Sequence, residues 1–526
     1  MKKSLIVAAL FVIASVLMGG DVQRSQAASL LPTIAVGTNP QQMQLTPDGS
    51  KLLVSNEAAG TVSIINTATD SVLNTINVGT NFPNSGPGPI RVLPDGSKAY
   101  VVNELNDTVS AINVATNSLI TNIPVGTNPV TLSRTDDGTK VYVANKLGNT
   151  VTVIDTATDA VVGGPIAVGT APNTMAKTPD GTKLYVANET SNNISVISTS
   201  SSTIIATISL GTSKDPGSIH FLPNGTKAYV ANRGCVAANP PVAPCLSSVA
   251  PTVSVIDVAS NSLATTISIG AVGDAPHAMR TTLNGSKLYV VNKHGNAVKV
   301  IDTGSNTVIK TVQLQAGSCT SILSGAGACP VRIELSPDGS YAYIVEERPL
   351  AVEGTLTAIC TGTVPTICGG SVTDAVVWRS VVGNSPVDLE VTPGGKAYIS
   401  NSGSNTVSVW VDSDGDGCPN ANEQQTAIGS ELSGGRRDYL NPWDYFEPTH
   451  NGQVRINDII TVVNQYFKDQ YLDSPPNPPN TPNPAYTKDT DRTSIGPNGW
   501  NLGPPNGQQR VDDILRAVKQ YFHDCP

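Results

Sequence analysis

The stretch Asp412-Ser-Asp-Gly-Asp-Gly-Cys-Pro-Asn-Ala-Asn-Glu423 sets oxygen donors where one chain can wrap one hard cation. Asp412, Asp414, Asp416, Asn420 and Glu423 fall at positions 1, 3, 5, 9 and 12 of the loop. Gly417 sits at the sharp turn, and Cys418 would offer its carbonyl. Calcium, which takes about six to eight oxygen ligands, is the expected cofactor; the alternative is an acidic, solvated linker. A second polar set is spread along the chain. Arg91, His220, Arg280, Glu334 and Glu390 each stand four residues after a recurring proline, and Arg332 and Asp388 stand two after it. Such residues can line a channel and do acid–base chemistry, but mixed charges favour self-neutralising ion pairs. His220 and His277 lie in adjacent copies of the repeat, with no third histidine beside them, so structural roles are expected.

The element that positions the second set is a repeat. Its marker prolines are Pro40, Pro87, Pro129, Pro172, Pro216, Pro276, Pro330 and Pro386. Each is followed in register by a turn glycine: Gly49, Gly96, Gly138, Gly181, Gly225, Gly285, Gly339 and Gly395. Undecorated copies are about 42 to 47 residues apart. Each copy holds four β-branched, alternating runs separated by turn residues, which read as strands. Four strands per copy is the spacing of a propeller blade, and such blades bury their faces only by stacking around an axis. Position three after the proline is always apolar and is expected in the core between blades. The fold class is therefore all-β, an eight-bladed β-propeller, with seven blades as the alternative.

The signatures Tyr142-Val-Ala-Asn145, Tyr185-Val-Ala-Asn188, Tyr229-Val-Ala-Asn232 and Tyr289-Val-Val-Asn292 accompany Val-Ile-Asp at 153–155, 255–257 and 300–302. In these the chain resembles the YVTN family of β-propeller repeats over roughly residues 33 to 411. The resemblance implies the fold and a cell-surface or secreted setting, without assigning a role. Blade eight ends at Trp410 without a fourth strand. Residues Leu31 to Val36 look like the missing one, closing the ring. The asparagines of the signature are expected to cap turns.

Antiparallel order puts the second-to-third and fourth-to-first connections on one face. The insertions Asn81–Gly86, Arg233–Pro251, Gln315–Cys329 and Glu346–Ser371 all read as belonging to it. Eight cysteines behind an apolar leader suggest disulfides. Close spacing predicts Cys235–Cys245, Cys319–Cys329 and Cys360–Cys368, leaving Cys418–Cys525. Stapled loops on one face predict a recognition surface.

After Trp410 the composition changes. Asn451–Phe467 and Asn506–Phe522 align with ten of seventeen residues identical, and a Pro/Asn-rich linker spans 474–484. These two segments resemble dockerin modules, whose duplicated calcium loops bind cohesins. The loops before Gly452 and Gly507 lack the aspartates of that family. A small, mainly α, calcium-loop and dockerin-like domain is expected here.

Met1-Lys-Lys, the apolar run Leu5–Met18 and Ser25-Gln-Ala27 describe a secretory signal peptide. A net charge of -9 with only 14% charged residues argues against a nucleic-acid partner. The expected domains are thus a signal peptide (1–27), a propeller (31–411), a calcium loop (412–423) and a helical module (424–526). The function expected is a secreted or cell-surface recognition and adhesion scaffold, not an enzyme. It would bind an extracellular protein or glycan, with a cohesin-like or self-assembly partner for the C-terminal module. The alternatives are a propeller enzyme, of lactonase or of quinone- or copper-oxidoreductase type, and a passive coat protein.

Overall fold

Seven of the eight marker prolines open a strand that turns back on itself at the marker glycine, and Pro330 is the second residue of its strand, Cys329–Leu335. Gly138 shows why the glycine is needed. Its φ is +69°, and an added Cβ would meet Pro94 Cδ of the preceding blade at 2.9 Å. The computed structural model describes residues 32–79, 86–234, 249–271, 274–314, 329–348, 353–362 and 373–411. They form eight antiparallel sheets. Seven are consecutive four-strand meanders, one per copy; in blade three the fourth strand is split into Ala160–Val161 and Ile166–Ala167. Successive inner strands neighbour one another all the way round, and blade eight's (Pro386–Val391) meets blade one's (Pro40–Leu45).

The ring closes as expected. Thr33–Ala35 pairs antiparallel with Thr406–Trp410, with Ile34 opposite Val407. The Val409 amide donates to the Pro32 carbonyl at 2.8 Å, and the Val36 amide to that of Asn405 at 3.0 Å. Ile34, Met43, Val54, Tyr398 and Val407 then share one core across the seam. The apolar third position is buried in every blade, from Met43 at 2% exposure to Leu389 at 0%. Each such side chain contributes roughly 1.5–3 kcal/mol.

The tyrosine signature and the lysine before it form a clasp between neighbouring blades. Lys98 Nζ lies 2.7 Å from Asp159 in the next blade, where the Tyr100 hydroxyl also donates to the Asp159 carboxylate. Lys183 and Tyr185 meet Asn261 in the same way, at 3.1 and 2.7 Å. Lys287 and Tyr289 meet Asp374, and Lys396 and Tyr398 meet Asp70. The expectation that the signature asparagines cap turns is corrected: their side chains bond other side chains instead. Asn145 is buried, and its Nδ2 donates to the hydroxyls of Thr150 and Thr152 at 3.1 and 2.9 Å, stitching the second strand to the third.

Blade seven corrects the expected placement of the insertions. Its third strand is Glu353–Cys360, paired with Tyr341–Glu347 so that Tyr341 faces Cys360 and Glu346 faces Thr355. Its fourth is the ten-residue Ala375–Asn384. The alternation Leu356-Thr-Ala-Ile359 buries both faces of the third strand, although it lacks the Val-Ile-Asp signature. Residues 361–374 therefore connect the third and fourth strands. The expectation that 346–371 is one insertion between the second and third strands is thus corrected: the third strand lies inside that range. Cys329 and Cys360, the two cysteines among the described residues, are not free thiols. The other six cysteines, Leu31 and everything from Asp412 onward lie outside the described residues.

Candidate active site in the axial channel

The fourth position after each proline carries Gln44, Arg91, Ser133, Ala176, His220, Arg280, Glu334 and Glu390 in blade order. Arg91 of blade two feels the charges of Glu390, Arg332, Asp388 and Arg134, from blades eight, seven and three. Side chains so far apart in the chain can act on one another only because the inner strands turn them towards a common axis.

Two ion pairs form there. Arg280 grips Glu334 through Nε, at 2.7 Å, and through Nη2. Arg332 Nε lies 2.6 Å from Asp388 Oδ1. The mixed charges thus neutralise one another in part. Arg91 and Glu390 are left over. Arg91 donates to the Ile90 carbonyl at 2.7 Å, and no carboxylate among the described residues pairs with it.

Glu390 makes no hydrogen bond or ion pair among the described residues. It is half-buried. Burial pushes its carboxyl up to about 8, helped by the negative charges of Asp388 and Glu334 and opposed by Arg332 and Arg91. A carboxyl that is mostly protonated at neutral pH, beside an unpaired guanidinium, is equipped for proton transfer. The expectation that ion pairs use up this set is corrected by these two residues.

Arg134, a cation close enough to act on Arg91, was not singled out by the spacing rule. It stands at the fifth position, where Leu45, Val92, Phe221, Leu335 and Val391 are apolar. Burial lowers its basicity, and the nearby Asp136 partly restores it. Lys177 holds the same position in blade four and is paired with Asp136. A cation where the repeat calls for an apolar residue was the signal available.

The two histidines are not brought together. His220 Nε2 accepts the Thr281 amide at 3.3 Å and lies 3.1 Å from the Thr281 hydroxyl. Burial and Arg280 push its pKa down to about 3, so it is neutral. His277 is held near 4 by burial and by Lys293 and Arg332. Where the inner strands begin, a separate chain of charges ties blades three to five: Lys146–Glu189 at 2.8 Å, Arg233–Glu189 at 3.2 Å and Arg233–Asp215 at 2.9 Å. Among the described residues, no group of three or more His, Cys, Asp or Glu could hold a metal ion. The predicted ligands Asp412, Asp414, Asp416, Cys418, Asn420 and Glu423 lie outside those residues.

Fold and inner strands together define a β-propeller that gathers charged side chains towards its axis. Residues 22–204 match the family model described as "Lactonase, 7-bladed beta-propeller". The match runs from before blade one into the last strand of blade four and includes Arg91 and Arg134. That description counts seven blades; this ring has eight. No curated protein matches. Similar solved structures include the Kuenenia stuttgartiensis hydrazine synthase, at 22% identity, 63% of this chain, 96% of that chain and a TM-score of 0.48. The dihydro-heme d1 dehydrogenase NirN in complex with DHE aligns at 16%, 70%, 69% and 0.49. The C-terminal WD40 domain of Sif2 aligns at 11%, 73%, 99% and 0.55, a likeness of fold. The lactonase match overturns the expectation of a non-catalytic adhesion scaffold and favours the propeller-enzyme alternative.

Proposed function

We propose that the channel is the active site of a hydrolase that opens cyclic esters of the lactone class. The observation that carries this is Glu390, a carboxyl raised to about 8 that stays unpaired beside Arg91. The lactonase match supports the choice of ester. The ionised form of Glu390 takes a proton from water as the water oxygen attacks the lactone carbonyl. Arg91 faces the negative charge that develops on the carbonyl oxygen. Collapse of the adduct breaks the ring C–O bond, and protonated Glu390 returns the proton to the leaving alkoxide. The products are a hydroxy acid and regenerated enzyme. Arg134, which feels the same field, favours a substrate with negative charge.

Glu390→Gln keeps the shape of the side chain and removes the proton carrier. With a panel of γ- and δ-lactones followed by acid release, it should lower turnover about 10²–10⁴-fold. Lactone opening at the wild-type rate in this variant would rule out the mechanism.

The sequence supports further parts of this reading. The repeats are of YVTN type, and the leader directs secretion. The loop at 412–423 takes calcium, and the duplicated C-terminal segments form a dockerin-like attachment module. The close cysteine pairs form disulfides, as an exported chain requires.

A further inference from the structure

Asp388 occupies the second position after the proline of blade eight, where no other blade carries a carboxylate. It is completely buried. Its two oxygens face different blades. Oδ1 lies 2.6 Å from Arg332 Nε in blade seven. Oδ2 accepts the Met43 amide of blade one at 2.8 Å. The Asp388 amide donates to Ser400 Oγ at 3.1 Å, and that hydroxyl donates to the Gln41 carbonyl of blade one at 2.7 Å. One carboxylate thus ties together the inner strands of three blades at the closing seam. A neutral amide could accept the Met43 hydrogen bond equally well, so the seam alone does not call for a charge. The charge is called for by Arg332, which would otherwise be free to pair with Glu390 two residues along the strand.

We propose that Asp388 is a positioning residue for the channel: it anchors the seam and holds Arg332 away from Glu390, which stays unpaired and available for proton transfer. The proposal rests on the reading of Glu390 as the acid–base group. The groups around Glu390 are identifiable by strand. Blade seven's inner strand brings Arg332 and Glu334, and blade one's brings no titratable residue. The second strand of blade eight brings Tyr398, whose hydroxyl is turned outward to Asp70. The second strand of blade seven carries Tyr341, Tyr343, Glu346 and Glu347. Arg91 acts from blade two.

The test follows the Glu390 carboxyl directly, by infrared difference titration against Glu390→Gln, in the full-length protein. Asp388→Asn keeps an acceptor for Met43 but loses the anion. Glu390 should then titrate lower by about one unit or more, and the rising limb of the pH–rate profile should move with it. Ser400→Ala weakens the seam alone; it should lower thermal stability and leave the titration unmoved. Should Asp388→Asn not fold, Arg332→Gln gives the opposite sign, with Glu390 titrating higher. An unmoved titration in Asp388→Asn or Arg332→Gln, or an equal shift in Ser400→Ala, overturns the proposal. A shifted titration in a protein that opens no lactone would sink the hydrolase reading and leave the role of Asp388 standing.

Discussion

Lys396 on the last blade pairs with Asp70 on the first at 2.9 Å, and the Tyr398 hydroxyl reaches the same carboxylate at 2.6 Å. This is the one clasp of its kind that joins the two ends of the chain. The others join blades that are already consecutive.

Lys396→Met should therefore cost about 1 kcal/mol, and Tyr398→Phe a similar amount. Their effects should be non-additive, because both act on Asp70. Urea unfolding of the two single variants and the double variant measures this. Strict additivity would mean that the two groups do not share the carboxylate.

The clasp tyrosines Tyr100, Tyr142, Tyr185, Tyr229, Tyr289 and Tyr398 all have their acidity suppressed, first by burial. Tyr229 is pushed up to about 12. Their folded-state pKa values lie above the unfolded value of about 10. The stability they contribute is thus complete below pH of about 10 and is lost as pH rises through the folded values. Tyrosinate absorbance should stay silent past the ordinary range and then appear together with loss of strand signal in circular dichroism. Titration of these groups in a still-folded ring would contradict the burial argument.

Glu390 governs two pH dependences of opposite sense. Lactone opening should rise with pH to a plateau above about 8, where the carboxylate is fully formed. Stability runs the other way. The folded pKa is raised above the ordinary glutamate value of 4.5, so this group's share of stability is present below 4.5 and lost as pH rises through about 8. Glu390→Gln should match the wild type in thermal stability in acid and exceed it above pH of about 8. A pH-independent stability difference would show that Glu390 is not the titrating group.

The proposed calcium binding at 412–423 predicts that chelation lowers the melting temperature of the C-terminal segment and leaves the propeller transition where it was. Asp412→Ala combined with Asp414→Ala should reproduce the effect without chelator. Calorimetry with and without calcium separates the two transitions; a chelator-insensitive scan would remove the calcium assignment.

The marker prolines and glycines made the ring legible because blade geometry fixes both. Pro40 and Gly49 bracket the same hairpin as Pro386 and Gly395, so counting them counted the blades. Blade seven escaped because Glu353–Cys360 forms a strand without the signature; its pairing with Tyr341–Glu347 is decided by burial on both faces. The channel was legible as a set of positions but not as chemistry. Counting charges at those positions gives equal numbers of arginines and carboxylates, which suggests complete neutralisation. Which arginine meets which carboxylate depends on the blades they share. Neighbouring blades pair Arg280 with Glu334 and Arg332 with Asp388, and the remaining two, Arg91 and Glu390, act on each other without forming an ion pair. Arg134 was missed because its position faces the core in most other copies.

The closing strand Thr33–Ala35 is made before its mate Thr406–Trp410, which follows almost four hundred residues later. Until the mate emerges, the early segment has nothing to zip onto. Arg91 waits likewise for Glu390. A nascent or clipped chain that lacks blade eight would hold an exposed strand and half a proton-transfer pair. Under the proposed mechanism, turnover would thus report that the polypeptide was made and kept through its eighth blade.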